Sequence, residues 1–253
     1  MENSFLLNRE QILLYRRSGY LVVPNVLTND QCDRINDIFE KRAVAINPET
    51  NKPYAPEYKG LMNLDRDDYQ IRHLLCYYKI VLVLDTLQDA EVVGLQSMFL
   101  FKKAGSTQAW NPHQDNCYPR APHGMYITGN LAFVDQDKEN GCMFIYPGSH
   151  NESILEAEFM KSFHEQTSKN PGHDLSKSLP TDYKPVDLPM KKGSILFLHG
   201  NVAHGSYPNN SNRNRPMLLI PYGTKGITQH PNFIPGRTGK REEFSLRPLR
   251  YEL

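Results

Sequence analysis

The chain lacks any apolar run of membrane-spanning length; its most apolar stretch, "YYKIVLVLDTL", is short and meets charge on both sides. It also lacks a Cys-x-x-Cys pair. Cys32, Cys76, Cys117 and Cys142 are scattered, which resembles neither a zinc ribbon nor a disulfide framework for 253 residues. An excess of one charge is missing too: 29 Lys and Arg stand against 28 Asp and Glu, a formal charge of +1. No bulk field therefore recruits nucleic acid or an anionic membrane. "MENSFLLNREQ" has no basic region followed by a long apolar run, so we expect no secretory signal and a reducing, cytoplasmic setting. No internal repeat or low-complexity tract is visible. What is there, 39% hydrophobic and 23% charged residues, suits a globular protein with a core. One domain over 1–253 is expected.

Residues 8–90 read as helical. "NREQILLYRRSGY" sets Ile12, Leu13 and Tyr15 near one face, with Asn8 to cap the helix and Gly19 to end it. "YLVVPNVL" reads as a short strand broken by Pro24. "TNDQCDRINDIFEKRAVAI" predicts a second helix, capped by Thr28 or Asn29, with Ile35, Ile38 and Phe39 buried. Residues 46–62 read as an ordered loop, and a third helix is expected over 69–87. From residue 91 the texture changes to short strands between turns: "EVVGLQSMFLFKK", "GMYITGNLAFVDQ", "CMFIYPG", "SILFLHG" and "RPMLLIPYG". A polar insertion, residues 151–187, interrupts them and carries one helical piece, "ILEAEFMKSFHEQ". Insertions of that length are usually lids, binding loops or disordered. This order predicts a mainly β fold with flanking helices, a sandwich or barrel over about 91–223 on a helical buttress over about 8–90.

"NPHQDNCYPR" sets His113 one residue from Asp115. On a strand, residues i and i+2 share a face, so both can reach one ion. An isolated His-x-Asp also arises by chance in solvated loops, so the rest of the chain must decide. "LFLHGNVAHGSYPNNSNRNRP" offers the third ligand. His204 is preferred over His199, because Gly205 permits close backbone approach and Ser206 adds a hydroxyl, whereas His199 reads as a packed strand-end residue. Two histidines and a carboxylate leave metal positions open, as ferrous oxygenases need; zinc competes for the same ligands. Arg215 opens the apolar run "PMLLIPY". Its guanidinium either points inward, where it needs a carboxylate or a bound dicarboxylate, or sits exposed at a strand end. Arg213 reads as solvent-facing. Trp110, Tyr118, Arg120 and His123 flank the His113 strand, with Lys102 and Lys103 near in sequence. They either hold a polar or anionic substrate or form a solvated rim.

"HQD", "ENGCMFIYPGSH", "KKGSILFLHGNVAHGSYPNNSNRNRP" and "YRRSGYLVVPNVLTNDQ" lie within residues 10–223. Together they resemble the phytanoyl-CoA dioxygenase family of non-haem iron, 2-oxoglutarate-dependent oxygenases, which includes ectoine hydroxylase. The resemblance implies a double-stranded β-helix, a jelly roll of cupin-like type, with His113, Asp115 and His204 as the Fe(II) triad. It implies that Arg215 pairs with the distal carboxylate of 2-oxoglutarate, that Ser206 helps, and that Gln96 touches this co-substrate. Asn130 stands near the co-substrate where the family often carries tryptophan, a departure from the pattern. His150 reads as structural. The implied activity is hydroxylation of a small-molecule metabolite with O2, releasing succinate and CO2, ascorbate being supportive. Asp115 argues for oxygen transfer, since related halogenases carry a small residue there. Desaturation or cyclisation on the same scaffold, or a non-catalytic jelly roll that binds metal or ligand, are the alternatives. An acyl-CoA, an amino acid, a nucleotide and a secondary metabolite are all open as substrate. Cys117, so close to Asp115, is expected to suffer oxidation in uncoupled turnover.

Overall fold

Reciprocal caps start both of the first two helices. Asn8 and Gln11 exchange side-chain-to-backbone hydrogen bonds at 2.9 Å, and Thr28 and Gln31 do the same at 2.8 and 3.2 Å. These fix α1 (Arg9–Ser18) and α2 (Asn29–Val44). Gly19 ends α1 at φ +80°, and a Cβ there would meet the His150 ring at 2.6 Å. The computed structural model describes residues 6–47, 51–53, 61–66, 68–107, 109–159, 173–234 and 242–246. The expected third helix is two, α3 (Tyr69–Leu75) and α4 (Tyr78–Gln88). Asp68 caps α3, and Cys76 leaves helical geometry at ψ 10°, so the chain turns before α4 begins.

In chain order the strands are β1 (Tyr20–Val23), β2 (Ile46–Asn47), β3 (Lys52–Pro53), β4 (Leu61–Met62), β5 (Val92–Gly94), β6 (Met98–Lys102), β7 (Trp110–His113), β8 (Tyr126–Ala132), β9 (Met143–Ile145), β10 (Glu158–Phe159), β11 (His173–Asp174), β12 (Val186–Leu188), β13 (Ile195–His199), β14 (His204–Ser206), β15 (Arg215–Thr224) and β16 (Phe244–Ser245). "EVVGLQSMFLFKK" is thus two strands, and β1 stops at Val23, before Pro24. The expected loop 46–62 holds β2, β3 and β4; its residues 48–50 and 54–60 lie outside the described residues. The helical piece expected in the insertion does not form over residues 154–157, and Glu158–Phe159 is strand; the remainder of that piece lies outside the described residues.

Two antiparallel sheets carry the fold, as a jelly roll requires. The larger runs β1-β13-β8-β15-β5-β16, with β6 pairing β15 beside β5 and β4 pairing β6; the smaller runs β12-β9-β14-β7. β16 extends the larger sheet beyond the expected limit at residue 223. Alternation divides the core. Ile195 and Phe197 of β13 and Leu218 and Ile220 of β15 join the helical residues Phe39, Ile71 and Leu84 in one buried cluster. Leu196, Leu198, Ala132 and Met217 instead pack with Met143, Ile145 and Leu188 of the smaller sheet. One face of the large sheet is therefore closed by helices, and the other lines the interior where the polar site lies. Among the described residues no helix is long and apolar enough to cross a membrane.

Candidate metal centre

The antiparallel register of β7 and β14 places His113 directly across from His204. Facing residues project on the same side, and the two ring centres are 4.4 Å apart. Asp115 opens the 3-10 turn Asp115–Cys117 that follows β7. The strand stops at His113, so the alternation expected across His113 and Asp115 passes through Gln114, whose backbone stays extended at φ −108°, ψ 127°. Asp115 Oδ1 lies 3.6 Å from Nε2 of both histidines. All three ligand atoms fall within 4.8 Å of one another, on buried residues.

Each donor is aimed from behind. The Nδ1–H of His113 donates to the Asn111 carbonyl at 2.8 Å, and that of His204 to the Val202 carbonyl at 3.0 Å. A carbonyl only accepts, so the proton is assigned to Nδ1 and the Nε2 lone pair faces the site. Thr128 donates its hydroxyl to Asp115 Oδ2 at 2.8 Å and leaves Oδ1 toward the histidines. Burial, then the neighbouring His204, holds His113 below the usual histidine range and keeps it in the neutral form that ligates. Two imidazoles and one carboxylate fit a divalent iron with open positions. Gly205 permits the approach: a Cβ there would stand 2.4 Å from the Trp110 carbonyl and 2.5 Å from the Phe144 ring. His199 packs elsewhere, 4.8 Å from the His123 ring and 5.2 Å from that of His150, with Nδ1 accepting from the Asn201 amide. Burial first, then these neighbours, push it down to about 3.

Arg215, at the start of β15, is 3% exposed, so the exposed strand-end alternative falls away. Among the described residues its guanidinium has no acid partner: Nη1 contacts the Met217 sulfur at 3.5 Å and Nε meets nothing. Burial pulls it down to about 10, the sign of a charge desolvated without a counter-ion. Arg213 is a surface residue paired with Asp137 and Glu139. Asn130 lies two residues from Thr128 on β8, on the same face, completely buried with both amide atoms unpartnered. Each buried group left so costs about 1–3 kcal/mol, which a polar ligand would offset. Ser206 ends β14, and Gln96 is buried in the link from β5 to β6. A buried guanidinium without an acid partner among the described residues fits a carboxylate of a dicarboxylate such as 2-oxoglutarate.

Around this centre, Trp110 stands across from Ser206, its ring centre 5.6 Å from that of His113. Tyr118 stacks on His173 at 4.6 Å. Asp174 accepts from the Asn111 amide at 2.7 Å, and the Leu175 N–H donates to the Pro112 carbonyl at 2.7 Å. The returning arm of the insertion therefore packs on β7, a contact with no signal in the sequence. Arg120 is exposed at φ +50°. His123 is exposed and bonds the His150 carbonyl at 2.7 Å, so its partners are His150 and His199 rather than the triad of His113, Asp115 and His204. Lys103 is exposed as a rim residue would be, but Lys102 is buried. Thr128 escapes a reading of motifs, and Lys102 enters it only as a substrate or rim cation; the period-two alternation of "MFLFK" and "YITGN" is the signal that could have placed both inward. Cys117 is buried, and burial pushes its thiol up to about 11, so it stays protonated near neutral pH.

The family model described as phytanoyl-CoA dioxygenase (PhyH) matches residues 15–217. The peroxisomal phytanoyl-CoA dioxygenase of Rattus norvegicus is 25% identical over 241 residues, which cover 87% of this chain and 69% of that protein. Among solved structures, EctD from S. alaskensis with 2-oxoglutarate and 5-hydroxyectoine is 16% identical with a TM-score of 0.68, covering 90% of this chain and 79% of that one. The epimerase SnoN in complex with Fe3+, alpha ketoglutarate and nogalamycin RO is 18% identical, also at 0.68, covering 85% and 83%. At these identities the two structures speak for the fold.

Proposed function

The chain belongs to the phytanoyl-CoA dioxygenase family, and on that premise we propose how its own residues run the reaction. It is an oxidoreductase of the iron- and 2-oxoglutarate-dependent oxygenase class. Our reading is that it hydroxylates a small-molecule metabolite, consuming O2 and 2-oxoglutarate and releasing succinate and CO2, with ascorbate supporting turnover. The observation that carries it is the meeting of three aimed donors with a buried guanidinium that has no acid of its own among the described residues.

His113, Asp115 and His204 would hold the iron, which when bound supplies the activation of O2. The carbonyls of Asn111 and Val202 keep both imidazoles in the ligating tautomer, and Thr128 keeps Asp115 turned inward. Arg215 takes the distal carboxylate, with Ser206 beside it. Asn130 and Gln96 are assigned to the remaining polar atoms of the co-substrate; an amide in place of the family's frequent tryptophan binds by hydrogen bonds what an indole would hold by packing. Apolar Leu196, Leu198 and Met217 keep water from the inter-sheet space. Trp110, Tyr118 and Arg120 are assigned to the substrate side, and the 151–187 insertion, anchored on β7 through Asp174 and Leu175, to its cover. EctD and SnoN were solved with 5-hydroxyectoine and nogalamycin RO, and a free small molecule of that kind is our choice of substrate class.

Succinate release tests this. Protein given Fe(II), ascorbate and 2-oxoglutarate should make succinate slowly, and several-fold faster when a panel of acyl-CoA esters, amino acids, nucleotides and polyketide-like compounds includes the true substrate. His204→Ala should abolish this, and His199→Ala should not. No succinate under any condition would leave a metal-binding jelly roll without turnover.

A further inference from the structure

The inward face of β6 carries a cation that the dicarboxylate site has so far not used. Lys102 is 7% exposed and stands directly across from Arg215 in the β6–β15 pairing, so both side chains leave the sheet on one face. Its ammonium nitrogen donates to Ser206 Oγ at 2.8 Å and to the Tyr207 carbonyl. That spends two of three donors and leaves one. Neither cation has a carboxylate partner among the described residues. The titratable groups that act on Lys102 are Arg215 on β15 and Cys142 just before β9, whose thiol burial pushes up to about 11 and keeps neutral.

Two like charges buried side by side without an anion are strongly unfavourable. A guanidinium cannot shed its proton in a protein, whereas an amine can. Burial, then Arg215, accordingly bring Lys102 down to about 6. The free protein would carry one charge at this place near neutral pH, and a bound carboxylate would restore the second.

We propose that Lys102 is the second cation of the dicarboxylate site: it joins Arg215 on the distal carboxylate of 2-oxoglutarate, with Ser206 beside Lys102, and takes up a proton from solvent as the co-substrate enters. This rests on the reading of Arg215 given above and adds to it a residue and a linked proton. Pyruvate, a 2-keto acid without the distal carboxylate, has nothing to offer the pair and should bind without proton uptake.

The test is calorimetric titration of 2-oxoglutarate into the Zn(II)-loaded protein at pH 8, in buffers of different ionisation heat. The wild type should take up about one proton per co-substrate, and none with pyruvate. Lys102→Met should lose the uptake and bind about tenfold or more weakly. Lys102→Arg, charged from the start, should keep much of the affinity yet take up no proton, a result that a merely structural lysine would not give. It also serves if the methionine variant fails to fold. Wild-type binding without proton uptake, or Lys102→Met within twofold of wild type, would overturn the role of Lys102 alone. Absence of 2-oxoglutarate binding in the wild type would overturn the reading of Arg215 with it.

Discussion

Thr128 touches the proposed metal site through one hydroxyl. Its bond to Asp115 Oδ2 decides which carboxylate oxygen faces His113 and His204. Thr128→Val keeps the shape and removes the bond, so metal affinity should fall about 10–100-fold while the fold persists. Co(II) titration reads this directly, and unchanged affinity would refute the aiming role. His199 makes a different prediction. Its folded value of about 3 lies below the ordinary 6.5, so the unfolded chain takes the proton first. Stability from this group is then complete above pH 6.5 and is lost as pH falls toward 3, by about 2 kcal/mol between pH 7 and pH 5. His199→Asn, which offers the Asn201 amide another acceptor, should flatten that slope in urea unfolding at the two pH values. At this scale the sequence is informative wherever a residue stands out in a short motif, as with the converging His113, Asp115 and His204 and the buried Arg215. Thr128 and Lys102 stand out only through the strand that happens to face them, and register is not written in any one segment.

Among the elements, β14 is tightly held, since β9 and β7 flank its three residues and Gly205 sits at the centre. A methyl group at Gly205 has backbone on one side and the Phe144 ring on the other. Gly205→Ala should therefore push β14 off β7 and misplace His204, with metal binding lost before global unfolding is seen. Metal stoichiometry beside circular dichroism checks this, and full occupancy would show that the strand yields. The helix starts are legible because caps are local chemistry, Asn8 with Gln11 and Thr28 with Gln31. The break between α3 and α4 is not legible, because no glycine or proline marks it. Nor is β10, where a helical pattern is overridden by pairing with β11 across the insertion.

On the scale of the whole molecule, helices before strands and the alternation of β8, β13 and β15 suffice to foresee a β core backed by helices. What they cannot foresee is which strands end at an edge. Among the described residues β7 is such an edge: it pairs with β14 alone in the smaller sheet, and the proposed ligands His113 and His204 face each other across that pairing. An ion bound there is a crosslink between an edge strand and its neighbour, present only when the chain is folded. Binding and folding are then linked, and saturating metal adds RT ln(1 + [M]/Kd) to stability, about 2.7 kcal/mol at a hundredfold excess over Kd. Stripping the metal with a chelator should lower the unfolding midpoint by several degrees and open β7 to proteolysis first, while His113→Ala should unfold at one temperature with or without metal. With the proposed ion at this pairing, the thermal midpoint becomes a function of the free metal concentration around the protein, not a constant of the chain.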